Sequence, residues 1–204
     1  MDVITVIGIG PGDSKYGMLG HEALFAKADY ILGSERHLEI LPKEYAHKGV
    51  VPPKKLGEME ALIRSYADDA EIIYLVSGDP LIYGLGKWMS ETFPNRVEIF
   101  SGISAMQYLA SRVFLPMNDA YLTSSHAKVP NFDLMMSLEK VFMVTDAKVG
   151  PYQIAQEVVK RGLKKKMIIG ENLSYDDERI TILPAEAVED RDYQMNVVVV
   201  MDER

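Results

Sequence analysis

Ile72-Ile73-Tyr74-Leu75-Val76-Ser77-Gly78-Asp79-Pro80 is the stretch whose reading decides the fold. Five apolar residues in a row, without polar alternation, describe a strand buried on both faces, as in a parallel sheet. The small residues after Val76 put a tight turn at the carboxyl end of that strand, which is where open α/β sheets bind ligands. Gly78 removes a side chain, Asp79 offers acceptor oxygens, and Pro80 stiffens a turn that runs on through Tyr83 and Gly84.

Working outward, the β-branched run Val3-Ile4-Thr5-Val6-Ile7 reads as a first strand that empties into Gly8-Ile9-Gly10-Pro11-Gly12-Asp13. A dinucleotide fingerprint needs glycine where Asp13 stands and no proline at Pro11. Glu35, just past a strand over 29–32, could hold a ribose, so a nicotinamide site stays open as a reading. Between these strands Met18, Leu19, Ala23, Leu24 and Ala26 form a helical stripe. Ser34 is placed to cap a short helix through Leu41, which brings Arg36 and His37 near the first turn. Residues 52–55 read as a loop, and 56–67 as a helix with Met59, Leu62, Ile63 and Tyr66 facing inward. Downstream come a helix over 85–92 with Trp88 in the core, a strand over 96–100, and the turn Ser101-Gly102-Ile103-Ser104 before a helix through Arg112. Three small-residue turns at strand ends point to one shared pocket on a doubly wound sheet.

Phe114-Leu115-Pro116-Met117-Asn118-Asp119 is the candidate linker, which divides the chain into an N-terminal α/β domain at 1–114 and a C-terminal α/β domain at 115–204. The second domain opens with a strand over 121–123 and the strand-end stretch Ser124-Ser125-His126-Ala127-Lys128. Strands over 141–145 and 167–169 flank a helix over 152–161 that Gly162 stops. Residues 171–180 look too polar for core, and a hairpin-like return leads to a buried final strand over 196–201.

Composition narrows the function classes. Twenty-two basic against thirty acidic residues give a formal charge of −8, which argues against a sequence-independent grip on nucleic acid. There is no cysteine, and His21, His37, His47 and His126 show no paired ligand spacing, so no protein-bound metal is expected. No apolar run approaches the roughly 20 residues of a membrane span, and the first residues lack a basic signal region, so a cytoplasmic protein without membrane contact is expected.

The three turns Gly8-Ile9-Gly10-Pro11-Gly12-Asp13, Ser77-Gly78-Asp79-Pro80 and Ser101-Gly102-Ile103-Ser104, at this spacing, resemble the tetrapyrrole methylases, S-adenosylmethionine enzymes of corrin and sirohaem synthesis. Gly33-Ser34-Glu35-Arg36, Glu171-Asn172-Leu173-Ser174-Tyr175 and Asp177-Glu178-Arg179-Ile180 look like the branch that methylates carbon 5 of cobalt-precorrin-7. That branch is similar to the first half of the longer precorrin-6Y methylases. The resemblance covers the whole chain. It implies the class III methyltransferase fold, two α/β domains with a mostly parallel N-terminal sheet, a mixed C-terminal sheet and the methyl donor in the cleft between them.

It also implies a homodimer, a corrinoid substrate and a separate decarboxylase that methylates carbon 15. The donor is expected at Gly10, Pro11, Gly78, Asp79, Tyr83, Gly84, Gly102, Ile103 and Ser104, and the acceptor's carboxylates at Arg36, His126 and Lys128. No residue is assigned to catalysis. Ser101 departs from the family's usual proline, and Ser124-Ser125-His126-Ala127-Lys128 from its Ser-Leu-His-Gly-Arg. A diphthine synthase-like enzyme acting on an elongation factor and a non-catalytic nucleotide-binding module are the alternatives.

Overall fold

The computed structural model describes residues 4–17, 20–126 and 128–203. It divides into two compact units, Met1–Ser104 and Ala105–Arg204. In the first, strands β1 (Ile4–Gly8), β2 (Tyr30–Leu32), β3 (Gly49–Val50), β4 (Ile72–Val76) and β5 (Val97–Phe100) form one sheet in the order β3-β2-β4-β1-β5. Every pairing is parallel. The register sets Gly8 beside Val76, and Ile7 beside both Leu75 and Phe100, so three strands end level with one another.

β4 is buried along its whole length because helices cover both sides of it. Ile72, Tyr74 and Val76 pack with Met59 and Ile63 of α3 (Leu56–Ser65) and with Met89 of α4 (Gly86–Thr92). Ile73 and Leu75 point the other way, toward Phe25 of α1 (His21–Lys27) and Ala28. Each fully buried side chain of this size contributes about 1.5–3 kcal/mol. The expected stripe on α1 is only partly correct: Ala23 and Ala26 are exposed, and Leu24, Phe25 and Ala28 make the contact. Val3, Met18 and Leu19 lie outside the described residues. α2 (Glu35–Leu38) ends before Leu41, and Ser34 precedes it without a side-chain cap.

The second unit holds β6 (Tyr121–Ser124), β7 (Lys140–Val144), β8 (Lys165–Glu171), β9 (Arg179–Pro184) and β10 (Asn196–Asp202), in the order β6-β7-β10-β8-β9. Only β6 and β7 run parallel, so the sheet is mixed. α7 (Pro151–Lys160) buries Ile154, Ala155 and Val158 against it, and Gly162 ends that helix at φ +66 as expected. The division falls ten residues before the expected one at 114/115. α5 (Ala105–Arg112) lies against β7 and β10, so the proline after it marks the end of a helix and not the end of a domain. α6 (Phe132–Ser137) has no counterpart in the sequence reading; Asn131 caps it, its Oδ1 accepting from the Leu134 amide at 3.0 Å.

The stretch 171–180 corrects a second expectation, since Glu171, Leu173 and Ser174 are buried. Glu171 accepts from both terminal nitrogens of Arg191, at 2.9 and 2.6 Å, and Glu178 accepts from the Ser174 amide at 2.7 Å. A polar segment enters the interior when each charge finds a partner there.

Candidate active site

Three expected turns meet at the carboxyl edge of the first sheet. The chain leaves β1 toward β2 and leaves β4 toward β5, on opposite sides of the sheet, so the ends of β1 and β4 flank a topological switch point. There Gly10 and Gly78 form an isolated bridge, the Gly78 amide donating to the Gly10 carbonyl at 2.7 Å. Both take positive φ, +89 and +66, which favours glycine. A Cβ on Gly102 would stand 2.2 Å from the Gly78 carbonyl oxygen and 2.6 Å from the Gly8 carbonyl, so backbone packs directly on backbone.

Asp79 locks this cluster. It is buried; one carboxylate oxygen accepts from the Leu81 amide at 2.7 Å and the other from the Gly102 amide at 3.3 Å. Its role is therefore to hold the second turn on the third, and the Gly102 amide, expected to meet a donor, is engaged by Asp79. Gly84 sits against the Asp79 and Pro80 carbonyls, each 2.7 Å from where a Cβ would be. Tyr83 stands half exposed at φ +55, Ile103 is half-buried, and Gly10, Pro11 and Ser104 are buried.

The ends of β2 and β3 are built otherwise. Arg36 donates to the Ser77 hydroxyl at 2.6 Å, and His37 Nε2 lies 2.8 Å from the same oxygen. Ser77 thus ties the basic pair to the end of β4. Burial first, and the neighbouring Arg36 charge second, push the His37 pKa down to about 4 against a small opposing pull from the Leu75 carbonyl, so the ring is neutral at pH 7. Its Nδ1 is buried without a hydrogen bond of good geometry. Beside this group opens a pocket of about 500 Å³ lined by Glu35, Arg36, Pro52, Pro53, Lys54 and Tyr74 among others. Sequence reading missed Lys54 and Tyr74; one sat in a loop and the other in a core strand, and only the fold brings them to Arg36.

His126 and Lys128 belong to the second unit, exposed beyond β6, with Ala127 between them outside the described residues. The His126 amide donates to the Ser124 hydroxyl at 3.0 Å, which orders the turn. Among the described residues no cluster of His, Asp or Glu is placed to hold a metal, and no helix is long and apolar enough to cross a membrane.

A parallel sheet whose central strands end in glycine turns is shared by several folds, and comparison with known proteins separates them. The family model of the Tetrapyrrole (Corrin/Porphyrin) Methylases matches residues 3–189. The chain belongs to the tetrapyrrole methylases. This methylase is 40% identical over 204 residues to the cobalt-precorrin-7 C(5)-methyltransferase of Salmonella typhimurium, covering 99% of this chain and 100% of that one. In structure it resembles the cobalamin biosynthesis precorrin-6Y methylase of Archaeoglobus fulgidus, with a TM-score of 0.75 at 20% identity over 99% of both chains. It also resembles the uroporphyrin-III C-methyl transferase of Thermus thermophilus complexed with S-adenosyl homocysteine, with a TM-score of 0.73 at 20% identity over 98% of this chain and 97% of that one. At those identities the structural likenesses bear on the fold, which is the methylase fold expected from the three turns.

Proposed function

We propose that this methylase transfers a methyl group from S-adenosylmethionine to carbon 5 of cobalt-precorrin-7 in cobalamin biosynthesis. The observation that carries the proposal is the 40% identity, end to end, with a methyltransferase of that name. The strand-end geometry supports it. When bound, the donor would supply an electrophilic sulfonium methyl to the electron-rich ring carbon.

The protein's part is positioning, and holding two reactants in line contributes up to several kcal/mol without a covalent nucleophile. The turns at Gly10, Gly78 and Gly102 hold the donor, and Asp79 holds those turns. Arg36 receives a carboxylate of the acceptor, with His126 and Lys128 as further basic contacts. Local charge of this kind overcomes the net −8 that would otherwise repel a polyanionic ring. A homodimer, with a separate enzyme for carbon 15, belongs to the same proposal and follows from the family resemblance, and a cytoplasmic location is proposed with them.

Incubation of the protein with S-adenosylmethionine and cobalt-precorrin-7, followed by mass spectrometry, tests it. The expected product is heavier by one methylene and methylated at carbon 5. An unchanged corrinoid alongside methylation of a translation factor turns the assignment to the diphthine synthase alternative.

A further inference from the structure

Tyr74, in β4, has a hydroxyl with no assigned role. The residue is 6% exposed, and among the described residues its hydroxyl has no hydrogen-bond partner. Buried phenols are ordinarily paired, because a polar group without a partner is costly. Among the described residues the only polar side-chain atom sealed from solvent without a partner is His37 Nδ1, so the Tyr74 hydroxyl is not sealed. It keeps some access to solvent, and the space that Tyr74 lines is the 500 Å³ pocket.

The rest of the pocket says what would fit there. Val51, Pro52, Pro53 and Met59 supply apolar walls, and Arg36 and Lys54 supply positive charge. Lys54 takes part in no ion pair among the described residues. Glu35 at the same pocket disfavours a doubly charged anion such as phosphate. Burial pushes the Tyr74 pKa up to about 12, so the hydroxyl remains a protonated donor across the neutral range.

We infer that this pocket receives an aliphatic carboxylate arm of the corrinoid acceptor, its methylenes against Pro52, Pro53 and Met59 and its carboxylate accepting from the Tyr74 hydroxyl and Lys54. The inference rests on the proposed function and deepens it by naming a subsite. The amino-acid tail of the methyl donor is also an aliphatic carboxylate. It carries an ammonium group beside the carboxylate, however, which Arg36 and Lys54 repel and Glu35 attracts, so that tail is a neutral zwitterion. Two cations against one anion leave the pocket net positive, which favours the singly charged carboxylate arm of the acceptor.

Tyr74→Phe keeps the ring in the core and removes only the hydroxyl, and Lys54→Gln removes an exposed charge. Acceptor binding is read by absorbance titration with cobalt-precorrin-7 and S-adenosylhomocysteine, turnover by steady-state kinetics, and donor binding by calorimetry. Tyr74→Phe is expected to raise the acceptor Kd and KM by about tenfold, the range for a hydrogen bond to a charged group, with kcat, donor Kd and melting temperature little changed. Lys54→Gln is expected to raise acceptor KM about two- to fivefold, and less at high salt. Wild-type acceptor affinity in Tyr74→Phe overturns the subsite while leaving the proposed function intact. A raised donor Kd instead gives the pocket to the donor and also overturns it. If the wild-type protein itself neither binds nor methylates the corrinoid, the proposed function is at fault and the inference falls with it.

Discussion

At the ends of β4, β1 and β5 the first unit packs main chain against main chain, whereas at the ends of β2 and β3 it arranges side chains around open space. In the first region a Cβ on Gly8 or on Gly102 would collide with the Gly78 carbonyl, and the buried carboxylate of Asp79 turns both oxygens inward. In the second, Arg36, His37 and Ser77 form a polar cluster beside a pocket with apolar walls. One sheet edge therefore offers two kinds of surface. The glycine region suits a ligand recognised through backbone and shape, and the side-chain region suits one recognised through charge. A methyltransferase needs both, since donor and acceptor differ in chemistry and must lie side by side.

The sharpest test of this contrast is to add one methyl group in each region. In Gly102→Ala the new Cβ meets backbone at 2.2 and 2.6 Å, so the turns must separate, and a loss of about 3 kcal/mol or more in stability is expected. In Gly33→Ala, at the end of β2, the nearest atoms are the Cβ atoms of His37 at 3.0 Å and Leu75 at 3.3 Å. A Cβ moves only with its backbone, and the one-turn helix that carries His37 can give by a few tenths of an ångström, so a smaller loss of about 1–2 kcal/mol is expected. Denaturant unfolding of the two variants measures the difference, and equal losses would erase the distinction between the regions.

Asp79→Ala comes next. It leaves the Leu81 and Gly102 amides without their partner, so stability should fall by about 1–3 kcal/mol and donor affinity should fall with it, because the turns lose their alignment. Calorimetry with S-adenosylhomocysteine, paired with a melting curve, checks both. A variant of undiminished stability that still loses the donor would make Asp79 a direct contact and weaken its role as a brace.

How far this edge could be read in advance follows the same division. The glycine turns were legible because close backbone approach and positive φ leave a mark on local sequence. The inward turn of Asp79 was not, since Gly102 is twenty-three residues away. Ser77 meets Arg36 and His37 across forty-one and forty residues, and no local pattern announces such a contact. Tyr74 read as core because it sits in an apolar run, and most of its surface is indeed core. In the second unit, the pairing of Glu171 with Arg191 joins a strand end to a loop twenty residues on, which is why a buried segment looked too polar to be buried. β3, two residues long, was too short to carry a period.

The side-chain region has a signature in pH, carried by His37. His37 titrates at about 4 in the folded protein and at about 6.5 when unfolded. Between those values the unfolded chain binds more protons, so stability is fully present above about pH 6.5 and declines as pH falls toward 4. Because the ring is only partly buried, solvent screening reduces the effect to about 1–2 kcal/mol. His21, also shifted down by burial, adds to the decline with the same sign, so the measurement is the difference between wild type and His37→Gln. That difference should grow as pH rises from 4 to 6.5. A flat difference would remove His37 from the account.

Arg36 should matter least to folding and most to the acceptor. It is exposed, so its hydrogen bond to Ser77 contributes less than about 1 kcal/mol to stability. Its value lies in orientation. A guanidinium presents five donors in a rigid plane, and anchoring one nitrogen on Ser77 at 2.6 Å fixes where the others can aim. Lysine in its place keeps the charge but not the plane. Arg36→Ala is therefore expected to weaken acceptor binding by about 1.5–3 kcal/mol, with Arg36→Lys intermediate. Ser77→Ala, which leaves the charge but frees the fork, should resemble Arg36→Lys and not Arg36→Ala. Donor affinity should stay near wild type in Arg36→Lys and Arg36→Ala if the two regions work separately. Kinetics with each ligand varied in turn decide the matter: a rise in donor KM equal to that for the acceptor would mean that Ser77 joins the two regions into one site.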